Sequence, residues 1–175
     1  MRVKVYWVDD SPSGRVGVMP RPRGGDWLAD EVRSLRDSGV DVVVSMLERE
    51  EAEELDLVGE KSCCEAEAIS FLSFPVRDRG VPPTGRDTAS FIRQLAGLLA
   101  AKKNVVIHCR QGVGRSALLA ASVLAARGVP ARIAFERVAG ARGCPVPDTE
   151  EQRDWVFQFA ATEATADRVR QARTA

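Results

Sequence analysis

The segment from Asn104 to Arg127 constrains the fold of this chain more than any other. Three apolar residues, Val105, Val106 and Ile107, lead into a turn-prone stretch with two glycines, Gly112 and Gly114, after which Ala, Leu and Val dominate up to Arg127. The first run suits a strand over 104–108. The last suits a helix over 116–127 that is apolar nearly all round, and a helix without a polar face has to be buried. A buried strand running into a buried helix needs neighbours on every side, which implies a sheet covered by helices on both faces.

The rest of the chain supplies those neighbours. Strands are expected over 3–8 and 15–19, joined by a turn at 9–14 whose Asp, Ser, Pro and Gly favour a tight reversal. Asp26 is placed to cap a helix over 27–37 with Leu28, Val32 and Leu35 on one face, and Gly39 stands where a helix-ending glycine belongs. A strand over 41–46 carries Val42, Val43 and Val44. Two short charged helices, over 48–56 and 60–68, are expected at the surface, followed by a strand over 69–74. Three prolines and two glycines in 75–85 rule out regular structure there and mark a loop. Beyond it, Phe91, Ile92, Leu95, Leu98 and Leu99 recur at helical spacing in a helix over 87–102. Helices over 131–141 and 149–166 complete the pattern, with the alanine-rich tail after Phe159 expected to fray. Trp27 and Trp155 are assigned to the core, Arg21 and Arg23 to a solvated turn. Alternating strands and helices predict an α/β fold: one domain over residues 1–175, with a central mixed, mostly parallel sheet of about four or five strands flanked by helices on both faces.

Charge bounds the partners. Twenty-five Lys and Arg balance 25 Asp and Glu, so bulk attraction to nucleic acid or a membrane is not expected and any anion site must be local. No run of about 18 apolar residues occurs, as a membrane span would require, and the expected location is the cytoplasm. The four cysteines, Cys63, Cys64, Cys109 and Cys144, contain no pair at zinc-ligand spacing and read as free thiols in a reducing compartment. His108 is the sole histidine, which excludes a histidine-rich metal site. Chemistry without metal or cofactor is the expectation, in a chain more consistent with a monomer.

The junction of strand and buried helix is where that chemistry belongs. A chain that leaves a strand, turns through two glycines and enters a helix directs backbone N–H groups and a helix N-terminus at one enclosed space, which is an anion site. Arg110, Gln111, Gly112, Val113 and Gly114 form the wall of that space. Arg115 stands at the helix start, where its planar fork can bind two phosphate oxygens. Thiolate, not thiol, is the nucleophile, and a cysteine facing a helix N-terminus and a guanidinium is ionised more readily. Cys109 is placed to feel both influences. Adjacent residues leaving a strand point to opposite faces, so His108 is a poor general base for Cys109.

The string His108-Cys109-Arg110-Gln111-Gly112-Val113-Gly114-Arg115-Ser116 resembles the HCxxGxxR[ST] signature of the protein tyrosine and dual-specificity phosphatases, with every fixed position matched. The resemblance extends over roughly residues 27–157. It implies that Cys109 forms a phosphocysteine, Arg115 grips the phosphate, Ser116 eases departure of the thiolate and His108 orients the loop. The segment 74–83 is similar to the family's acid loop, which makes Asp78 the expected general acid. Thr149-Glu150-Glu151-Gln152 resembles a segment from which some members position the hydrolytic water, which would give Gln152 that role. The implied substrate is a phosphorylated protein. No counterpart of a phosphotyrosine-recognition segment is present, which favours a shallower dual-specificity pocket, and the absence of lysine in the loop mildly disfavours phosphoinositides. A phosphoprotein-binding module and a persulfide- or arsenate-handling thiol enzyme are the competing classes. Intact Cys109, Arg115 and Asp78 speak against the first, Asp78 and Ser116 against the second.

Overall fold

A computed structural model of the chain describes residues 4–8 and 14–174. Five strands form one sheet in the order β1-β2-β5-β3-β4: β1 (Tyr6–Trp7), β2 (Val16–Pro20), β3 (Val42–Ser45), β4 (Ser70–Ser73) and β5 (Val105–Cys109). Only β1 runs antiparallel, against β2, and the other pairings are parallel. The expected mixed, mostly parallel sheet is therefore present. The expected turn at 9–14 and the start of the first strand, at Val3, lie outside the described residues except for Gly14.

The period-2 geometry of the strands divides the interior into two cores. Val16, Val18, Val42, Val44, Val105, Ile107 and Cys109 face one side, while Val43 and Val106 face the other. The larger core is covered by four helices, α4 (Arg86–Ala100), α5 (Arg115–Ala126), α6 (Ala131–Arg142) and α7 (Glu150–Thr174). The smaller is covered by α1 (Leu28–Asp37) and α3 (Glu60–Ala66), with α2 (Arg49–Glu54) at its margin. β5 lies between β2 and β3, and all five of its residues are buried. Nearly all of α5 is buried too, from Arg115 to Leu124, as its lack of a polar face requires.

Four details depart from expectation. Asp26 does not cap α1: it lies inside a 3-10 turn, Gly25–Trp27, and Trp27 occupies the cap position without a side-chain bond. That turn swings Trp27 outward, 56% exposed under the Arg23 guanidinium, so Trp27 is not a core residue. Arg23 is held by an ion pair to the buried Glu31 instead of being a free solvated cation. The last helix, expected over 149–166, runs further, because α7 continues to Thr174. Its Ala, Glu, Arg and Gln are strong helix formers, and Glu163 pairs with Arg93 of α4 along the way. Among the described residues no helix is long and apolar enough to cross a membrane.

Candidate active site

Cys109 is the last residue of β5, and its side chain turns toward the loop that follows. The Gly112 N–H donates to Cys109 Sγ at 3.3 Å, and Ser116 Oγ lies 3.4 Å from the same sulfur. Gly112 is essential to that arrangement. Its φ is +72°, and a Cβ there would come within 2.5 Å of the Met19 backbone on the neighbouring strand. The carbonyls of the loop are tied from outside: Arg142 donates from Nε to Gly112 O and from Nη2 to Gln111 O, both at 3.2 Å, with its guanidinium over the Tyr6 ring. The Val113 side chain packs, partly buried, on the larger core.

Arg115 opens α5 and is only 2% exposed. Its Nη1 donates to Glu51 Oε2 at 2.6 Å and to Val76 O at 2.8 Å, its Nη2 to Glu51 Oε1 at 3.0 Å, and Asp78 Oδ1 stands 2.9 Å from Nη2. Burial pulls the guanidinium's pKa down, but the hydrogen bond to Glu51 and the charges of Cys109, Glu51 and Asp78 outweigh it, so the value is raised and Arg115 stays charged. Burial likewise pushes the Glu51 carboxyl up, and bonds from Arg115, from the Glu48 N–H and from Arg110, with the charge of Arg115, bring it below the usual carboxylate range. Arg110 bonds to Glu54 and Glu51 at the rim.

Asp78 lies on a tight turn, Arg77 to Gly80, in which Arg79 takes a φ of +58°. The turn is fastened at both ends. Val76 O accepts from Arg115, and Gly80 O accepts from Gln152 Nε2 at 3.0 Å. Asp78 thus pairs with the arginine of the phosphate loop, not with Arg77 or Arg79. Gln152 is fully buried, and its Oε1 has no hydrogen-bond partner. His108 points to the opposite face from Cys109, with Nε2 3.0 Å from Oε1 of the buried Glu60 on α3. The contact is a close approach of a buried carboxyl to the imidazole.

A cleft of about 200 Å³ collects these groups, lined by Asp78, Arg79, Cys109, Arg110, Gln111, Arg115 and Asp148. The sequence reading missed Glu51, Asp148 and Arg142. Glu51 sits in an acidic run, Glu50, Glu51, Glu53 and Glu54, and nothing in the order of those residues distinguishes it from a solvated face. The Glu48–Glu51 capping box on α2 is the nearest signal, since it fixes which carboxylate turns inward.

A cysteine ending the central strand of such a sheet, a glycine turn around its sulfur and an arginine heading the buried helix place the molecule in the cysteine-phosphatase fold. The family model described as "Tc-R-P: Polymorphic toxin system, DSP-PTPase phosphatase" matches residues 16–129, more than half of the chain. The chain belongs to that family and is a phosphatase of the dual-specificity and protein tyrosine type of fold. Similar solved structures include a kinase associated phosphatase with its catalytic-site cysteine replaced by serine (TM-score 0.79, 18% identity, 94% of this chain and 97% of that one). PTPMT1 in complex with PI(5)P is also similar (TM-score 0.73, 20% identity, 91% and 96% covered). So is Tk-PTP in its active form (TM-score 0.69, 23% identity, 90% and 96% covered). No curated protein matches the sequence.

Proposed function

We propose that the chain hydrolyses phosphate monoesters of proteins, on tyrosine or on serine and threonine, through a phosphocysteine on Cys109. The carrying observation is the convergence of Cys109 Sγ, the Gly112 N–H, the Arg115 fork and the Asp78 carboxyl on one small cleft. In this reading the phosphate enters against the loop 110–114 and Arg115, displacing Asp78 from the guanidinium. The Cys109 thiolate attacks phosphorus in line with the ester oxygen, and the P–O bond breaks. Asp78 gives that oxygen its proton, a contribution typically worth about 10²–10⁴-fold. Ser116, beside the sulfur, stabilises the thiolate when water later releases the phosphate. His108, on the far side of the strand, holds the loop's entry point.

The cleft has no aromatic residue among its lining groups, which suits short phosphoserine and phosphothreonine side chains as well as phosphotyrosine. Cys109→Ser should abolish turnover of an aryl phosphate while leaving tungstate binding measurable. Retained turnover in that variant excludes the phosphocysteine. A panel of phosphotyrosine, phosphoserine, phosphothreonine and phosphoinositide substrates assigns the class, and a phosphoinositide turned over best of all would replace the protein substrate in this reading.

A further inference from the structure

We propose that Asp148, and not Gln152, holds the water that hydrolyses the phosphocysteine. The inference rests on the Cys109 mechanism above and concerns its second half. Once the leaving group has gone, a water must approach phosphorus opposite to sulfur. Its oxygen forms the new P–O bond, the S–P bond breaks, and the electron pair returns to Cys109 as thiolate. One water proton goes to Asp78, left as carboxylate by the first step. The other hydrogen needs an acceptor that fixes the oxygen lone pair on phosphorus, because a poorly aimed nucleophile forfeits most of the advantage of being bound.

Gln152 is poorly placed to be that acceptor. It approaches Gly114, its unpartnered Oε1 3.1 Å from where a Cβ would fall, but its side chain is fully buried, is anchored through Nε2 on Gly80 O, and does not line the cleft that a water would enter. It fastens the acid loop to α7. Asp148, four residues earlier, lines the cleft beside Cys109, Arg115 and Asp78. Its carboxylate lies directly on Gly114, where an added Cβ would fall 2.2 Å from Asp148 Oδ2. The missing side chain at Gly114 is therefore what lets this carboxylate approach the phosphate loop. Among the described residues no cation lies within 4.0 Å of the Asp148 carboxylate, whereas Asp78 is paired with Arg115. An exposed, unpaired carboxylate facing the cleft has its lone pairs free for water.

The two carboxylates thus divide the work. Asp78 serves both steps and Asp148 only the second, which gives Asp148 a kinetic signature of its own. The test is rapid-mixing hydrolysis of p-nitrophenyl phosphate by the full chain and its Asp148→Asn and Gln152→Ala variants, with intact-mass analysis of acid-quenched enzyme. Asp148→Asn should form nitrophenolate in the first turnover at the parental rate. Its steady-state kcat should fall by roughly ten- to a hundredfold, with the phosphocysteine adduct accumulating. Gln152→Ala should slow the first turnover through its loosened acid loop and accumulate no adduct. Three results overturn the proposal: an unchanged kcat in Asp148→Asn, a first turnover slowed in parallel with kcat, or adduct accumulating only when Gln152 is replaced. Because Asp148 is exposed, its amide should not disturb folding, and an unaltered melting curve checks this. A Cys109→Ser chain that still turns over the ester is the separate result that removes the underlying mechanism.

Discussion

Glu51 offers the most searching test of how this site is built. Arg115 is withdrawn from water at 2% exposure, and Glu51, at 11%, contributes both oxygens to its fork. Glu51→Ala deletes two charge-assisted hydrogen bonds, each worth about 1.5–3 kcal/mol, and leaves a buried cation without its main partner, a change that costs about 3–5 kcal/mol in well-enclosed pairs. Three features soften the loss. Val76 O and Met46 O still accept from Nη1, Asp78 remains beside Nη2, and the vacated margin of α2 admits water. The expected destabilisation is then about 2–4 kcal/mol, or roughly 5–15 °C in melting temperature for a chain of this size. With the fork no longer held, kcat/KM for an aryl phosphate should fall by about 10²–10³-fold, comparable to losing one oxyanion donor. Glu51→Gln keeps the shape and one acceptor, and should show a smaller loss of both. Thermal unfolding by circular dichroism and steady-state hydrolysis measure the two effects on the same samples. A Glu51→Ala protein that melts within about 2 °C of the parent and turns over at the parental rate would show that Glu51 does not hold Arg115 in solution, and the reasoning would be wrong.

The same pair predicts a pH dependence. The Glu51 carboxyl titrates below its ordinary 4.5 in the folded chain, so its contribution is complete above that value and is lost as the pH falls through the folded value. Urea midpoints should decline below pH 4.5 more steeply for the parent than for Glu51→Gln, and equal slopes would discount the pair. Gly112→Ala combines a positive φ with a collision against the Met19 backbone. It should cost at least 1–3 kcal/mol and remove activity, which an intact melting curve with normal turnover would contradict. Burial, aided by the charges of Glu60, Cys63 and Glu65, pushes the Cys64 thiol up to about 12. Iodoacetamide at pH 8 should spare Cys64 in the native protein and modify it only in urea, a contrast that peptide mapping reads directly.

The division between sequence and structure follows from distance along the chain. The strand, the glycine turn, the buried helix and the order Cys109, Arg115, Ser116 lie within a single stretch, where periodicity and local turn chemistry dictate geometry. The parallel sheet followed from the alternation of apolar strands with amphipathic helices. The proline-rich stretch 75–85 marked a loop, and within it Asp78 stood out only because residues 74–83 resemble the family's acid loop. These are local regularities, and one sequence displays them fully. What completes the site is nonlocal. Glu51 reaches Arg115 across 64 residues, Val76 O across 39, and Gln152 joins Gly80 across 72. Asp148 enters the cleft because α7 begins where Gly114 leaves room. Which carboxylate of an acidic helix turns inward, and whether a glutamine faces the cleft or fastens a loop, depends on how the helices dock on the sheet. Many side chains could satisfy the same local pattern, and only tertiary packing selects among them.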